Sequence, residues 1–126
     1  VATAAGLATL ELCDPSLYAT LDTRAKQVAQ VIGEALTVEG VAHRHQNGGN
    51  LFSFFFTDQP VRNFADAQSQ NVQAFNAFFH AMLENGVSLP PSAFEAWFVS
   101  GAITDADVEK IAAAARIAAK AAASLV

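Results

Sequence analysis

Two histidines, His43 and His45, stand two residues apart in a stretch, residues 41–46, whose period reads as a strand, so both rings share one face. That spacing suits a pair of metal ligands, but zinc needs a third and a fourth donor. Neither Cys13 nor His80 is brought there by local structure. The plainer reading is two exposed strand histidines, and no metal site is expected. His80 follows Phe78 and Phe79 in a helical stretch and reads as a half-buried packing residue. Cys13 precedes Asp14, whose negative charge disfavours a thiolate, so a reactive cysteine is not expected.

The glycines offer a second chemistry. Gly48, Gly49 and Asn50 invite comparison with a phosphate loop, but they match neither GxGxxG nor GxxxxGK[ST] and they open a strand. No helix N-terminus waits there for an anion, so a hairpin turn is the simpler reading. Such a turn still lets backbone approach a ligand closely. A third candidate is Glu95, a lone carboxylate in the apolar run that follows Pro90 and Pro91. A carboxylate in that setting is exposed on an edge, paired with a cation, or part of a site. No Ser/His/Asp or Cys/His set occurs in a workable order, and Lys26, Lys110 and Lys120 all fall on solvated helix faces. By itself the chain carries no complete catalytic apparatus.

The elements that must position these residues follow from pattern. Residues 1–12 read as the end of a helix with Leu7 and Leu10 on one face. Asp14 and Pro15 restart a helix as N-cap and first helical residue, and Leu17, Leu21, Val28, Ile32, Ala35 and Leu36 continue it toward Gly40. Strands are expected over 41–46 and 51–57 around the turn at Asn47, Gly48 and Gly49, with Phe54, Phe55 and Phe56 covered on both faces. A polar loop runs over 58–66, and a helix over 69–85 turns Val72, Phe75, Phe79, Met82 and Leu83 inward. An extended piece at 87–89 and a strand over 95–99 precede Thr104 and Asp107, which resemble a capping box. The last helix turns Val108, Ile111, Ala115, Ala118, Ala122 and Leu125 to the core. The sum is an α+β fold, a small, mostly antiparallel sheet covered by about four helices.

Composition excludes several classes. With 126 residues and 52% hydrophobic content, the chain is one domain with enough apolar surface for a core. A net charge of -5 without a Lys/Arg cluster argues against nucleic acid as a partner. No apolar run is long enough to suggest a membrane partner, and no basic segment opens a signal peptide. A single cysteine fits a reducing, cytoplasmic setting. The chain begins without Met and already in a helical pattern, which points to a fragment of a longer protein.

Four segments taken in order, ATAAGLATL from residue 2, GNLFSFFFTD from 49, FFHAMLENGV from 78 and PSAFEAWFVS from 91, resemble the C-terminal small domain of the glutamate-1-semialdehyde 2,1-aminomutase family. These are class III aminotransferase-like enzymes of pyridoxal phosphate fold type I, and the resemblance covers essentially the whole chain. It implies conversion of glutamate 1-semialdehyde to 5-aminolevulinate in the complete homodimeric enzyme. The Schiff-base lysine and the other pyridoxal 5'-phosphate contacts would belong to a large domain preceding Val1, with residues 1–12 leading in from it. This chain would then bind no cofactor and be inactive alone. By resemblance, Glu95 faces the substrate cleft and pairs with a cation there, Ser92 and Phe94 shape the same wall, and Gly48, Gly49 and Asn50 form the lip opposite. Ser88, Pro90 and the segment from Gly101 to Thr104 depart from the family pattern, which leaves room for a related class III transaminase. A free-standing binding or dimerisation module is the alternative of a different kind.

Overall fold

The longest helix owes its start to two side chains. The structure is a computed structural model and describes all 126 residues. Helix α1 (Ala2–Glu11) is followed by α2 (Pro15–Val38), whose N-cap is Asp14. The Asp14 carboxylate accepts from the Leu17 amide at 2.8 Å and from the Ser16 hydroxyl at 2.7 Å. These bonds, the Leu17 amide first, hold its carboxyl below the usual carboxylate range. Along α2, Ala25, Val28, Ala29, Ile32, Ala35 and Leu36 form the buried stripe. Gly40, at φ +68°, ends it in the left-handed region that a side chain would resist.

The chain then turns into an antiparallel hairpin, β1 (Arg44–Gly48) and β2 (Leu51–Phe55), with Gly48 opposite Leu51 and His45 opposite Phe54. The first strand therefore starts three residues later than its period implied. Alternation survives in the phenylalanine run: Phe52, Phe54 and Phe56 are buried against the helices, whereas Phe55 is half-buried and Leu51 exposed. The expected double-sided cover is thus corrected to one covered face. On the other face, Arg44 and Gln46 donate to the carbonyls of Asp58 and Val61.

Inside the expected polar loop lies a short helix, α3 (Phe64–Gln68), capped by Asn63, and α4 (Val72–Glu84) follows with Asn71 as its cap. The α4 stripe is Ala74, Phe75, Phe78, Ala81 and Met82. Val72 and Leu83, expected inside, are exposed, because the small alanines set the phase of the face. His80 is exposed as well, its ring edge-on to Phe79 at 5.3 Å, and is not half-buried. The expected strand over 95–99 shrinks to one bridge between Trp97 and Phe52, and 87–89 forms no strand.

Helix α5 (Asp105–Ala123) opens on a full capping box. The Thr104 amide donates to Asp107 at 2.8 Å and the Asp107 amide to the Thr104 hydroxyl oxygen at 3.3 Å, and the first of these lowers the Asp107 carboxyl's pKa most. Its buried face is entirely alanine (114, 115, 118, 119 and 122), which lets α5 lie close across both α4 and α2. Leu125 falls beyond the helix and is exposed. Five helices, one of them only five residues long, and a two-stranded sheet make up the α+β fold. Helix α1 takes no part in the core: Leu7 and Leu10 are exposed, and none of its residues is buried. No helix is long and apolar enough to cross a membrane.

Candidate functional site

Between α4 and α5 runs an irregular strap that carries Ser92, Phe94 and Glu95. Pro90 and Pro91 contribute no amide donors, so the strap cannot build a ladder of its own there. Other elements fasten it instead. The Gln70 side chain, buried beneath it, donates from Nε2 to the Ala93 carbonyl at 3.1 Å and accepts at Oε1 from the Phe56 amide at 3.2 Å. The Ser53 hydroxyl of β2 donates to the Glu95 carbonyl at 3.1 Å. Two residues further on, Trp97 and Phe52 exchange both backbone hydrogen bonds.

Within the strap, the Ser92 hydroxyl accepts from the Phe94 amide at 3.2 Å and the Ser92 carbonyl from the Glu95 amide at 3.2 Å. This tight turn projects Phe94 outward, where its ring meets Phe64 of α3 at 5.6 Å. Ser92 is half-buried. Glu95 is exposed, and its carboxylate makes no hydrogen bond or ion pair within the chain. Of the readings open to it, the edge-exposed one describes this structure.

The hairpin turn meets the strap only in part. Gly48 and Ala96 line one hollow of about 320 Å³ with Gln46, Leu51, Ser53 and Phe55. Gly49, at φ +69°, lines a separate crevice beside Lys26 and His45. Asn50 is half-buried. The six residues singled out from the sequence therefore do not converge on one pocket. Gly48 lies by the Glu95–Ala96 side of the strap, and Phe94 lies against Phe64. Sequence reasoning missed Gln70. Its only signal was a glutamine just ahead of the Asn71 cap, which periodicity does not mark.

A wider groove of about 580 Å³ separates α2 from the hairpin, lined by Lys26, Gln30, Glu34, Thr37, His43 and His45 among others. His43 lies one residue before β1, and its Nδ1 bonds the Val41 carbonyl at 2.8 Å, so Nδ1 carries a proton. His45 packs 5.1 Å from Phe54, and burial, then the neighbouring His43, push its pKa below the usual imidazole value. No three His, Cys, Asp or Glu side chains gather to hold a metal. In the groove Lys26 is exposed, and the N-termini of α2, α3, α4 and α5 are capped by Asp14, Asn63, Asn71 and Thr104.

No family model matches the chain. It is 50% identical over its whole length to a glutamate-1-semialdehyde 2,1-aminomutase of Cutibacterium acnes, covering 29% of that protein. Over 97% of its length it is 51% identical to the enzyme of the same name from Propionibacterium freudenreichii subsp. freudenreichii, covering 28% of it. The chain thus spans well under a third of the curated relatives it matches. Among solved structures, an omega-transaminase from Sphaerobacter thermophilus superposes with a TM-score of 0.77 at 24% identity, over 94% of this chain and 27% of that one. A transaminase with PLP bound also reaches 0.77, at 19% identity, over 95% and 27% of the two chains. Over its whole length the chain is similar to part of glutamate-1-semialdehyde 2,1-aminomutases, and its α+β fold is that of about a quarter of the transaminase structures on which it superposes.

Proposed function

We propose that this chain serves as the C-terminal domain of a pyridoxal phosphate-dependent glutamate-1-semialdehyde 2,1-aminomutase and forms one wall of its substrate cleft. The observation that carries the reading is the 50% identity sustained over the whole chain, strap and hairpin included. Helix α1 supports it: ten residues, none of them buried and with Leu7 and Leu10 exposed, make a helix that is marginal alone and asks for a partner surface. That partner is the large domain, which accounts for the remaining length of the relatives and holds the cofactor and its lysine. The complete enzyme is a cytoplasmic homodimer, and the 126-residue chain by itself neither binds the cofactor nor turns over substrate.

In this reading the exposed, unpaired Glu95 carboxylate finds its cation across the cleft, either an arginine of the large domain or an amino group of the diamino intermediate. Ser92 and Phe94 shape the same wall, and Gly48, Gly49 and Asn50 the lip. Glu95→Ala in the complete enzyme is expected to weaken use of glutamate 1-semialdehyde about tenfold or more, the loss of one charge-assisted contact. Unchanged turnover and substrate preference would remove Glu95 from the site.

A further inference from the structure

We infer that Gln70 is the positioning residue of this wall, its carboxamide setting where the segment bearing Ser92, Phe94 and Glu95 stands relative to β2. The inference rests on the cleft-wall reading above and adds to it a residue outside the wall. Gln70 is 6% exposed, so its amide must be paired to be tolerated, and both ends are. Oε1 takes the amide of Phe56, the first residue beyond β2, and Nε2 gives to the carbonyl of Ala93, between two wall residues. One side chain thus clamps the sheet to the strap across a stretch that has no ladder.

Gln70 is itself held. Its amide donates to Ala67 of α3 at 3.3 Å, and the next residue, Asn71, donates its own amide to Phe56 at 2.8 Å. A leucine would fill the volume but leave the Phe56 amide and the Ala93 carbonyl unpaired. A glutamate would keep the acceptor for Phe56, yet only its protonated form could donate to Ala93. Burial raises such a carboxyl's pKa, which brings the switch toward the working pH range.

The experiment uses the complete enzyme carrying this chain, with Gln70→Leu, Gln70→Glu and, as reference, Glu95→Gln. Steady-state kcat and KM for glutamate 1-semialdehyde are read across pH, with hydrogen exchange at the Phe94 and Glu95 amides. Gln70→Leu is expected to raise KM about fivefold with kcat little changed, about the factor one net hydrogen bond is worth, and to speed exchange at both amides. Gln70→Glu is expected to resemble the parent enzyme at low pH and to lose affinity as pH rises. If Glu95→Gln alters KM while Gln70→Leu alters neither KM nor exchange, the positioning role is overturned and the wall stands. If Gln70→Leu speeds exchange but neither it nor Glu95→Gln moves KM, the wall reading fails and takes the positioning role with it.

Discussion

Phe52 and Trp97 hold each other by both backbone hydrogen bonds, Trp97 N–H to the Phe52 carbonyl at 2.7 Å and the return bond at 3.3 Å, with their rings 5.8 Å apart. This single bridge is all that joins the strap to the sheet as a strand would, and Trp97 is 3% exposed there. Trp97→Ala is therefore expected to lower stability by about 4 kcal/mol, the cost of a large core truncation. Phe98, its neighbour, is 71% exposed, and Phe98→Ala should shift the isolated chain by less than about 0.5 kcal/mol. Denaturant midpoints of the two variants check the contrast.

The alanine face of α5 makes a prediction of opposite kind. Ala118 is fully buried where α5 crosses α2 and α4, so Ala118→Leu overpacks that crossing and should lose about 1–3 kcal/mol. Ala113 is exposed on the same helix, and Ala113→Leu should be close to neutral. Equal losses at both positions in thermal melts would contradict the assigned face.

His45 gives a pH dependence with a definite sign. Its pKa in the folded chain lies below the unfolded value of about 6.5, so below that value the unfolded chain binds the proton more readily. Its contribution is full above the unfolded pKa and declines as pH falls toward the folded one. Lys26 and Glu34 of α2 share its groove, and His43 adds to the depression. Urea unfolding at pH 5 and pH 7 should show a smaller drop in His45→Gln than in the parent chain.

The two capping carboxylates act in another window. Asp14 and Asp107 both have folded pKa values below 3.8, so their contribution is present above that value and lost as pH falls through the folded pKa. Asp14→Ala and Asp107→Ala should destabilise the chain at pH 7, with the difference shrinking toward pH 3 in melts followed by circular dichroism.

What the sequence revealed divides along physical lines. Asp14 with Pro15, and Thr104 with Asp107, mark α2 and α5 because capping is local chemistry, written within four residues. A hairpin was legible from Asn47, Gly48 and Gly49 for the same reason, but Asn47 and Gly48 pair within β1 and the turn itself is Gly49 and Asn50. The phase of α4 was misread because Ala74 and Ala81, and not Val72 and Leu83, belong to its buried face. Helix α3 went unseen: it has five residues and an exposed Phe64, which leave no stripe to find. The apolar run at 95–99 has strand composition, yet only Trp97 pairs with β2, since the strap is held by tertiary contacts from Gln70 and Ser53. Glu95, Ser92 and Phe94 stood out by type, whereas Gln70, which holds their segment, lies more than twenty positions away and only the fold brings it there.

The most direct test of the domain assignment joins this chain, in place of the matched stretch, to the remainder of an aminomutase that it resembles at 50% identity. Formation of 5-aminolevulinate from glutamate 1-semialdehyde is then measured for the joined protein and for the 126-residue chain alone. The account predicts turnover by the joined protein and none by the chain. A joined protein that folds and binds pyridoxal phosphate but makes no 5-aminolevulinate would contradict it.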